Sequence, residues 1–171
     1  PGIDDALAIL LALASPEVVL DGISTVHGNA SSAQVTTNAL SILEIANASH
    51  IPVYQGCDLP LVKESLLSPE THGNSGLGYA NLSAPVTKPQ IKHGSDYLIE
   101  QIMSRPGEVT LVAIGPLTNV AIAIRKEPRI VQNVKEVFVM GGAIKHQGNT
   151  TPLAEYNTFV DPHSAHIVFH S

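Results

Sequence analysis

The chain has 171 residues, 44% hydrophobic and 14% charged, which suits one globular domain with a well-filled core. The net charge of −6, from 9 Lys and Arg against 15 Asp and Glu, offers no basic stripe, so we expect neither nucleic acid nor a membrane as a partner. No apolar run reaches the roughly 18 residues that a membrane-spanning helix needs. The single cysteine, Cys57, excludes an intramolecular disulfide and fits a reducing compartment, so we expect a cytoplasmic protein.

The first predicted element is a helix from Asp4 to about Ala14, which follows directly on Pro1-Gly2-Ile3. Carboxylates are favoured near a helix N-terminus, and this explains one of the two adjacent aspartates, Asp4 and Asp5. The second is explained less well, because like charges repel and successive helix positions point about 100° apart. Carboxylate oxygens are also the ligands that Ca²⁺ or Mg²⁺ takes. For this pair alone, a helix-terminal role and a cation site remain equally open.

Strands and helices alternate along the rest of the chain. The β-branched run 18–26 predicts a buried strand, and Ser31 or Ser32 is expected to cap a helix that extends to about Ala48. Residues 55–92 lack periodicity and form a long loop of the kind that often serves as a functional lid. The other predicted elements are strands at 51–54, 109–114 and 134–140, and helices at 94–104, at 118–126 and from Asp161-Pro162 onward.

This alternation predicts an α/β fold, a mostly parallel sheet with helices on both faces. In such sheets ligands bind outside the carboxyl ends of the strands. Polar loops follow three of the predicted strands, at His27-Gly28-Asn29, at 115–119 and at Gly141-Gly142. Asp4 and Asp5 would join them if a strand preceded Pro1. We therefore expect a binding site at this edge of the sheet.

Two further segments each have two interpretations. If 155–157 is extended, Glu155 and Asn157 face the same side and suit the adjacent hydroxyls of a sugar, whereas the alternative is a solvated loop. HGNSGLG either forms turns through its glycines and nothing more, or it brings His72 to face a ligand from the lid. Asp161 is predicted to cap the last helix.

The chain resembles the inosine-uridine-preferring nucleoside hydrolases over essentially all 171 residues. Six separated blocks in the same order are far more specific than any one of them. The blocks are PGIDDALAI, VHGN, HGNSGLG, IGPLTN, VMGG and NTTPLAEYN. The resemblance implies a Rossmann-like nucleoside hydrolase fold, with 1–171 as part of a single domain. It also implies an N-ribohydrolase of purine and pyrimidine salvage, in which a Ca²⁺-bound water hydrolyses the N-glycosidic bond of a ribonucleoside.

The resemblance further implies roles for individual residues. Asp5 matches a metal ligand that acts through the bound water, and Thr118 matches a residue whose backbone carbonyl binds the metal. Asp4, Asn29, Met140, Asn149, Glu155 and Asn157 match positions at the ribose, and His72 matches one near the base. The general base of the family precedes Pro1 and a late His-Asp pair follows Ser171, so we expect the chain to be the N-terminal half without the first strand, inactive alone. Homodimers or homotetramers are expected by the same resemblance.

Two other functional classes compete with this interpretation. A non-catalytic sugar- or Ca²⁺-binding module derived from the same fold would keep the pocket and lack the catalytic ends. A ribosyltransferase or phosphorylase is disfavoured, because no Arg or glycine-rich phosphate cradle lies near the strand ends. Arg105, Arg125 and Arg129 all fall in or beside predicted helices.

Overall fold

A computed structural model describes all 171 residues, with eight helices and four strands. The elements in chain order are α1 Ile3–Ala14, β1 Ile23–Thr25, α2 Ser32–Ile45, β2 Val53–Gln55, α3 Pro69–His72, α4 Gly94–Ser104, β3 Thr110–Ala113, α5 Thr118–Lys126, α6 Ile130–Asn133, β4 Glu136–Val139, α7 Tyr156–Val160 and α8 Pro162–Phe169. None of the helices combines the length and apolarity needed to cross a bilayer.

The chain divides into two compact units. Unit 1 consists of Pro1–Asp58 and Leu67–Gly94, and unit 2 consists of Leu59–Leu66 and Ser95–Ser171. Each unit contains one pair of parallel strands, packed against α2 in unit 1 and against an apolar cluster with residues of α5 and α8 in unit 2. The predicted α/β class with parallel strands is therefore confirmed, although in this chain the strands form two separate pairs.

Unit 1 is built on β1 and β2, which pair in parallel from Ile23 opposite Val53 to Thr25 opposite Gln55. Helix α2 packs against both strands, and its N-cap Ser31 accepts a hydrogen bond from the Gln34 N–H, as the sequence predicts. Most of this helix is buried, and 38–43 are buried without a break, so it is enclosed on more than one face. The core contains Ile9, Ala39, Leu40, Ile42, Leu43, Ala48, Ile51 and Val53.

Unit 2 is built on β3 and β4, which pair in parallel from Thr110 opposite Glu136 to Ala113 opposite Val139. Helix α5 packs against α8, and two small apolar clusters fill the unit. One cluster is formed by Ile102, Ala123 and Ile130, and the other by Leu117, Val120 and Ala165. These packed elements carry the carboxyl ends of β3 and β4.

The strands are shorter and more exposed than the sequence predicts. The strand expected over 18–26 begins only at Ile23, and Val19 is 85% exposed. The prediction that the strands are buried on both faces is also wrong for β4, where Phe138 is 57% exposed. A run of β-branched and apolar residues favours an extended backbone. Its burial also requires other elements packed on both faces of the strand, which the composition of the run does not determine.

Candidate functional site

The first group of predicted site residues lies at the N-terminus of α1, in unit 1. The Asp5 carboxylate turns back on its own helix, and Oδ2 accepts hydrogen bonds from the Gly2 N–H at 2.6 Å and from the Asn29 Nδ2 at 3.3 Å. Burial raises the pKa of the Asp5 carboxyl, and the hydrogen bond from Gly2 opposes that shift. A partly buried carboxylate is thus held in one orientation beside the loop that follows β1.

Asp4 and His72 form the exposed edge of the same group. The Asp4 side chain is 70% exposed, and its Oδ1 lies 4.0 Å from the His72 Nδ1. The Ile3 N–H donates to that same ring nitrogen at 3.4 Å. Asp4 and Asp5 therefore serve different neighbours, as successive helix positions require.

Gly2 is needed here because the site residues approach its backbone closely. A Cβ at this position would overlap the Asn29 Nδ2 and would lie 2.9 Å from the His72 Nδ1. The turn ahead of α1 thus lets an amide and an imidazole reach the helix N-terminus.

The loop that carries His72 folds as a series of turns. The Ser68 N–H donates to the Asn29 carbonyl at 3.4 Å, and the Gly78 N–H donates to the His72 carbonyl at 2.7 Å. Gly76 has a φ of +83°, a conformation that other residues rarely adopt. The glycines of HGNSGLG thus form turns, and the His72 ring lies beside Asp4. A contact between His72 and a ligand stays a prediction.

The second group lies in unit 2, at the carboxyl ends of β3 and β4. The Asn157 Nδ2 donates to the Ile114 carbonyl at 3.2 Å and to the Met140 carbonyl at 3.0 Å. The Glu155 Oε2 accepts from the Gly142 N–H at 2.9 Å. The strands thus bring Met140, Glu155 and Asn157 to one place, the edge that the sequence predicts for a site.

The extended backbone predicted for 155–157 is wrong. Asn157 lies in α7 and Glu155 is its N-cap, with Oε1 accepting from the Asn157 N–H at 2.8 Å and Oε2 from the Thr158 N–H at 3.1 Å. The physical reason is that a buried carboxylate satisfies two of the unpaired N–H groups at the start of a helix. Because Glu155 is only 8% exposed and accepts three backbone hydrogen bonds in all, about one of its four acceptor positions remains for a ligand.

Asn149 and Thr118 have structural partners of their own in unit 2. The Asn149 Oδ1 accepts from the Tyr156 N–H at 2.8 Å and so supports the start of α7. Thr118, fully buried at the start of α5, donates its hydroxyl to the Asp161 Oδ2 at 2.7 Å. Asp161 caps α8 through the Ser164 N–H, as predicted.

The acidic donors of unit 1 are of the type that a hard cation takes. No three His, Cys, Asp or Glu side chains are arranged to hold a metal. Asp4 and Asp5 nevertheless place two carboxylates in the first turn of one helix, and carboxylate oxygens are the ligands that Ca²⁺ prefers. A cation would also offset the cost of burying the Asp5 charge. The type of donor atom suits a hard cation, and a calcium ion at this position stays a prediction.

The chain belongs to the inosine-uridine preferring nucleoside hydrolase family, whose sequence model matches residues 1–171. It is 47% identical to the inosine-uridine preferring nucleoside hydrolase of Crithidia fasciculata over 99% of this chain and 54% of that protein. It is 48% identical to the enzyme of the same name from Leishmania major, over 99% of this chain and 54% of that protein. The chain spans about half the length of these curated relatives.

Solved structures have the same fold. A purine-preferring ribonucleoside hydrolase from Gardnerella vaginalis matches with a TM-score of 0.95 at 33% identity, over 98% of this chain and 54% of that one. A plant nucleoside hydrolase matches with a TM-score of 0.93 at 42% identity, over 99% of this chain and 54% of that one. The nucleoside hydrolase fold expected from the sequence blocks is thus confirmed.

The sequence does not predict the role of Asn38 or two of the three hydrogen-bond partners of Asp161. Asn38 is buried in α2 and donates to the Pro1 and Ser75 carbonyls, and its signal is a polar side chain among the apolar positions of a core helix. Asp161 was predicted as a helix cap, but it also accepts from Thr118 and from the Leu61 N–H. Nothing in the local sequence indicates those partners.

Proposed function

We propose that this chain supplies nucleoside-binding and metal-binding residues of an N-ribohydrolase, which hydrolyses the N-glycosidic bond of ribonucleosides to ribose and free base. The observation that carries the proposal is the Asp5 carboxylate, held by Gly2 and Asn29 beside a second carboxylate, in a chain that belongs to the family over its full length. We propose further that 1–171 form part of a single nucleoside hydrolase domain.

In unit 1, the proposal assigns Asp5 to a Ca²⁺ ion, Asp4 and Asn29 to ribose hydroxyls, and His72 to the side of the base. The support is that these four side chains surround one helix N-terminus. When bound, Ca²⁺ would orient and acidify a water molecule. The carboxylates favour the positive charge that develops on the ribose in an oxocarbenium-like transition state.

In unit 2, the proposal assigns a metal-binding role to the Thr118 carbonyl and a contact near the sugar to the Met140 carbonyl. Ribose hydroxyls are assigned to Asn149, Glu155 and Asn157. For Glu155 the assignment is limited to one strong hydrogen bond, because its other acceptor positions serve α7 and Gly142. That hydrogen bond would be charge-assisted and hence stronger than a neutral one.

The proposal carries two broader expectations from the family resemblance. One is a cytoplasmic location, which the single Cys57 supports, since a lone buried thiol suits a reducing compartment. The other is a homodimer or homotetramer, which sedimentation of the purified protein would test. The alternative function is a non-catalytic sugar- or Ca²⁺-binding module with the same pocket.

The test compares the 171 residues with an extended protein, in which the chain is lengthened at both ends to the size of its relatives. Ribose release from inosine and uridine is followed with Ca²⁺ and with a chelator. We expect chelator-sensitive turnover by the extended protein and none by the 171 residues. An extended protein that binds ribose or Ca²⁺ without turnover would favour the binding module.

A matched pair of variants of the extended protein tests the metal assignment. Asp5→Ala should lower both Ca²⁺ affinity and kcat/KM by on the order of 100-fold, because the loss of a metal ligand costs at least as much as the loss of a residue that supports one. Asp21→Ala removes an exposed aspartate of the same unit and should change neither quantity. Asp5→Ala with unchanged Ca²⁺ affinity and turnover would sink the assignment.

A further inference from the structure

Helix α2 buries one amide among its apolar side chains. Asn38 is 4% exposed and lies next to the core residues Ala39 and Leu40. Its Oδ1 accepts a hydrogen bond from the Gln34 Nε2 at 2.9 Å, one turn earlier on the same helix. A buried amide lowers stability unless its polar atoms are hydrogen-bonded. The partners of the Asn38 nitrogen therefore show which segments this side chain connects.

The two N–H groups of the Asn38 side chain donate to two segments that contain proposed site residues. The Asn38 Nδ2 donates to the Pro1 carbonyl at 3.2 Å and to the Ser75 carbonyl at 2.7 Å, each 37 residues away in the sequence. Pro1 opens the turn that leads into Asp5, and Ser75 lies three residues beyond His72. A single side chain thus ties the metal-ligand turn to the His72 loop.

The packing around this amide leaves little room for another arrangement. Gly76 follows Ser75 with a φ of +83°, and a Cβ there would lie 3.2 Å from the Asn38 Nδ2 and 3.3 Å from the Pro1 carbonyl oxygen. The two segments are therefore in close contact where the amide bridges them. On the other side of this contact, the His72 Nδ1 accepts from the Ile3 N–H.

We propose that Asn38 is a positioning residue, whose amide holds the Pro1–Asp5 turn and the 72–78 loop in one fixed arrangement. Asp5 and His72 then keep their places relative to each other without any contact between Asn38 and a ligand. The inference rests on the proposed function for its effect on catalysis. Its structural part, the coupling of the two segments, holds independently of the reaction.

The test uses Asn38→Ala in the extended protein, together with Asn38→Asp, which keeps the shape and replaces the two N–H donors by a carboxylate oxygen. Both variants should lower Ca²⁺ affinity and kcat/KM for inosine by roughly 10- to 100-fold, the usual effect of removing a group that orients a metal ligand. Amide hydrogen exchange of 2–5 and 73–78, measured without Ca²⁺, should accelerate together.

Ser41→Ala is the matched control. Ser41 is equally buried on the same helix, and its Oγ donates to the Ser83 carbonyl at 3.1 Å, in a segment without proposed site residues. It should lower the Tm and leave Ca²⁺ affinity and the exchange of 2–5 and 73–78 unchanged.

The outcomes separate the inference from the proposed function. If Asn38→Ala affects Ca²⁺ affinity and local exchange no more than Ser41→Ala does, Asn38 is an ordinary core residue and the inference is overturned. If the wild-type extended protein releases no ribose, the proposed function fails. In that case the exchange measurement still decides whether Asn38 couples the two segments.

Discussion

Replacing Asp161 should destabilise unit 2, because this carboxylate is fully buried and accepts three hydrogen bonds from separate parts of the unit. The donors are the Leu61 N–H at 3.1 Å, the Thr118 hydroxyl at 2.7 Å and the Ser164 N–H at 3.1 Å. Asp161 therefore joins the 59–66 segment to the starts of α5 and α8.

The magnitude for Asp161→Ala follows from the donors that it leaves unpaired. Loss of the α8 cap costs about 0.5–2 kcal/mol, and leaving each of the two other donors unpaired costs about 1–3 kcal/mol. The middle of these ranges gives a total of about 5 kcal/mol. At roughly 2–4 °C per kcal/mol for a chain of this size, the Tm should fall by about 10–20 °C.

A milder variant tests the same reasoning. Asp161→Asn keeps an acceptor for the Ser164 N–H but turns an amide group toward the Leu61 N–H, so we expect about half of that loss. Thr118→Val removes only the hydroxyl and leaves the backbone carbonyl in place, so it should cost on the order of 1–3 kcal/mol.

The assay is urea and thermal unfolding followed by circular dichroism, with Asp96→Ala as the control. Asp96 lies in the first turn of α4 in the same unit, and its ion pair with Lys126 is partly exposed. Such surface pairs contribute about 0–1 kcal/mol. If the free energies of unfolding of Asp161→Ala and Asp96→Ala differ by less than about 1 kcal/mol, the three hydrogen bonds to Asp161 do not stabilise the unit as argued.

Three further predictions concern pH, packing and the sugar. Hydrogen bonds from Thr87 hold the pKa of the Glu44 carboxyl below its usual value of 4.5, so their stabilisation is present above that pH and is lost as the pH falls through the lowered pKa. The difference in urea midpoint between wild type and Glu44→Gln should therefore narrow below pH 4.5, and a constant difference would contradict this. Gly2→Ala in the extended protein should weaken Ca²⁺ binding roughly tenfold by displacing Asn29, which calorimetric titration would show; unchanged affinity would disprove the close approach. The extended protein should also hydrolyse 2′-deoxyinosine with a kcat/KM roughly 10- to 100-fold below that for inosine, since the ribose-binding groups lose a partner, and equal values would exclude that grip.

Local patterns in the sequence were sufficient for the five longer helices, whereas the short helices α3, α6 and α7 were not predicted. Helix α4 has the predicted bounds 94–104, α1 ends at Ala14 as predicted, and Ser31 caps α2. Capping and apolar periodicity act within a few residues along the chain, so a single sequence records them directly. The six blocks and their order likewise identify the family, because each block holds residues that serve one strand end or one helix start.

The tertiary structure alone decided which polar groups meet. The hydrogen-bond partners of Asn38 lie 37 residues away in the sequence, and the Leu61 N–H, which donates to Asp161, lies 100 residues away. Local sequence preferences do not act over such separations. Glu155 follows a polar segment that suits an extended loop, yet it caps α7, because its carboxylate also accepts from Gly142, which the end of β4 brings within reach. The exposure of Val19 and Phe138 has the same origin, since burial depends on which elements pack against a strand and not on its composition.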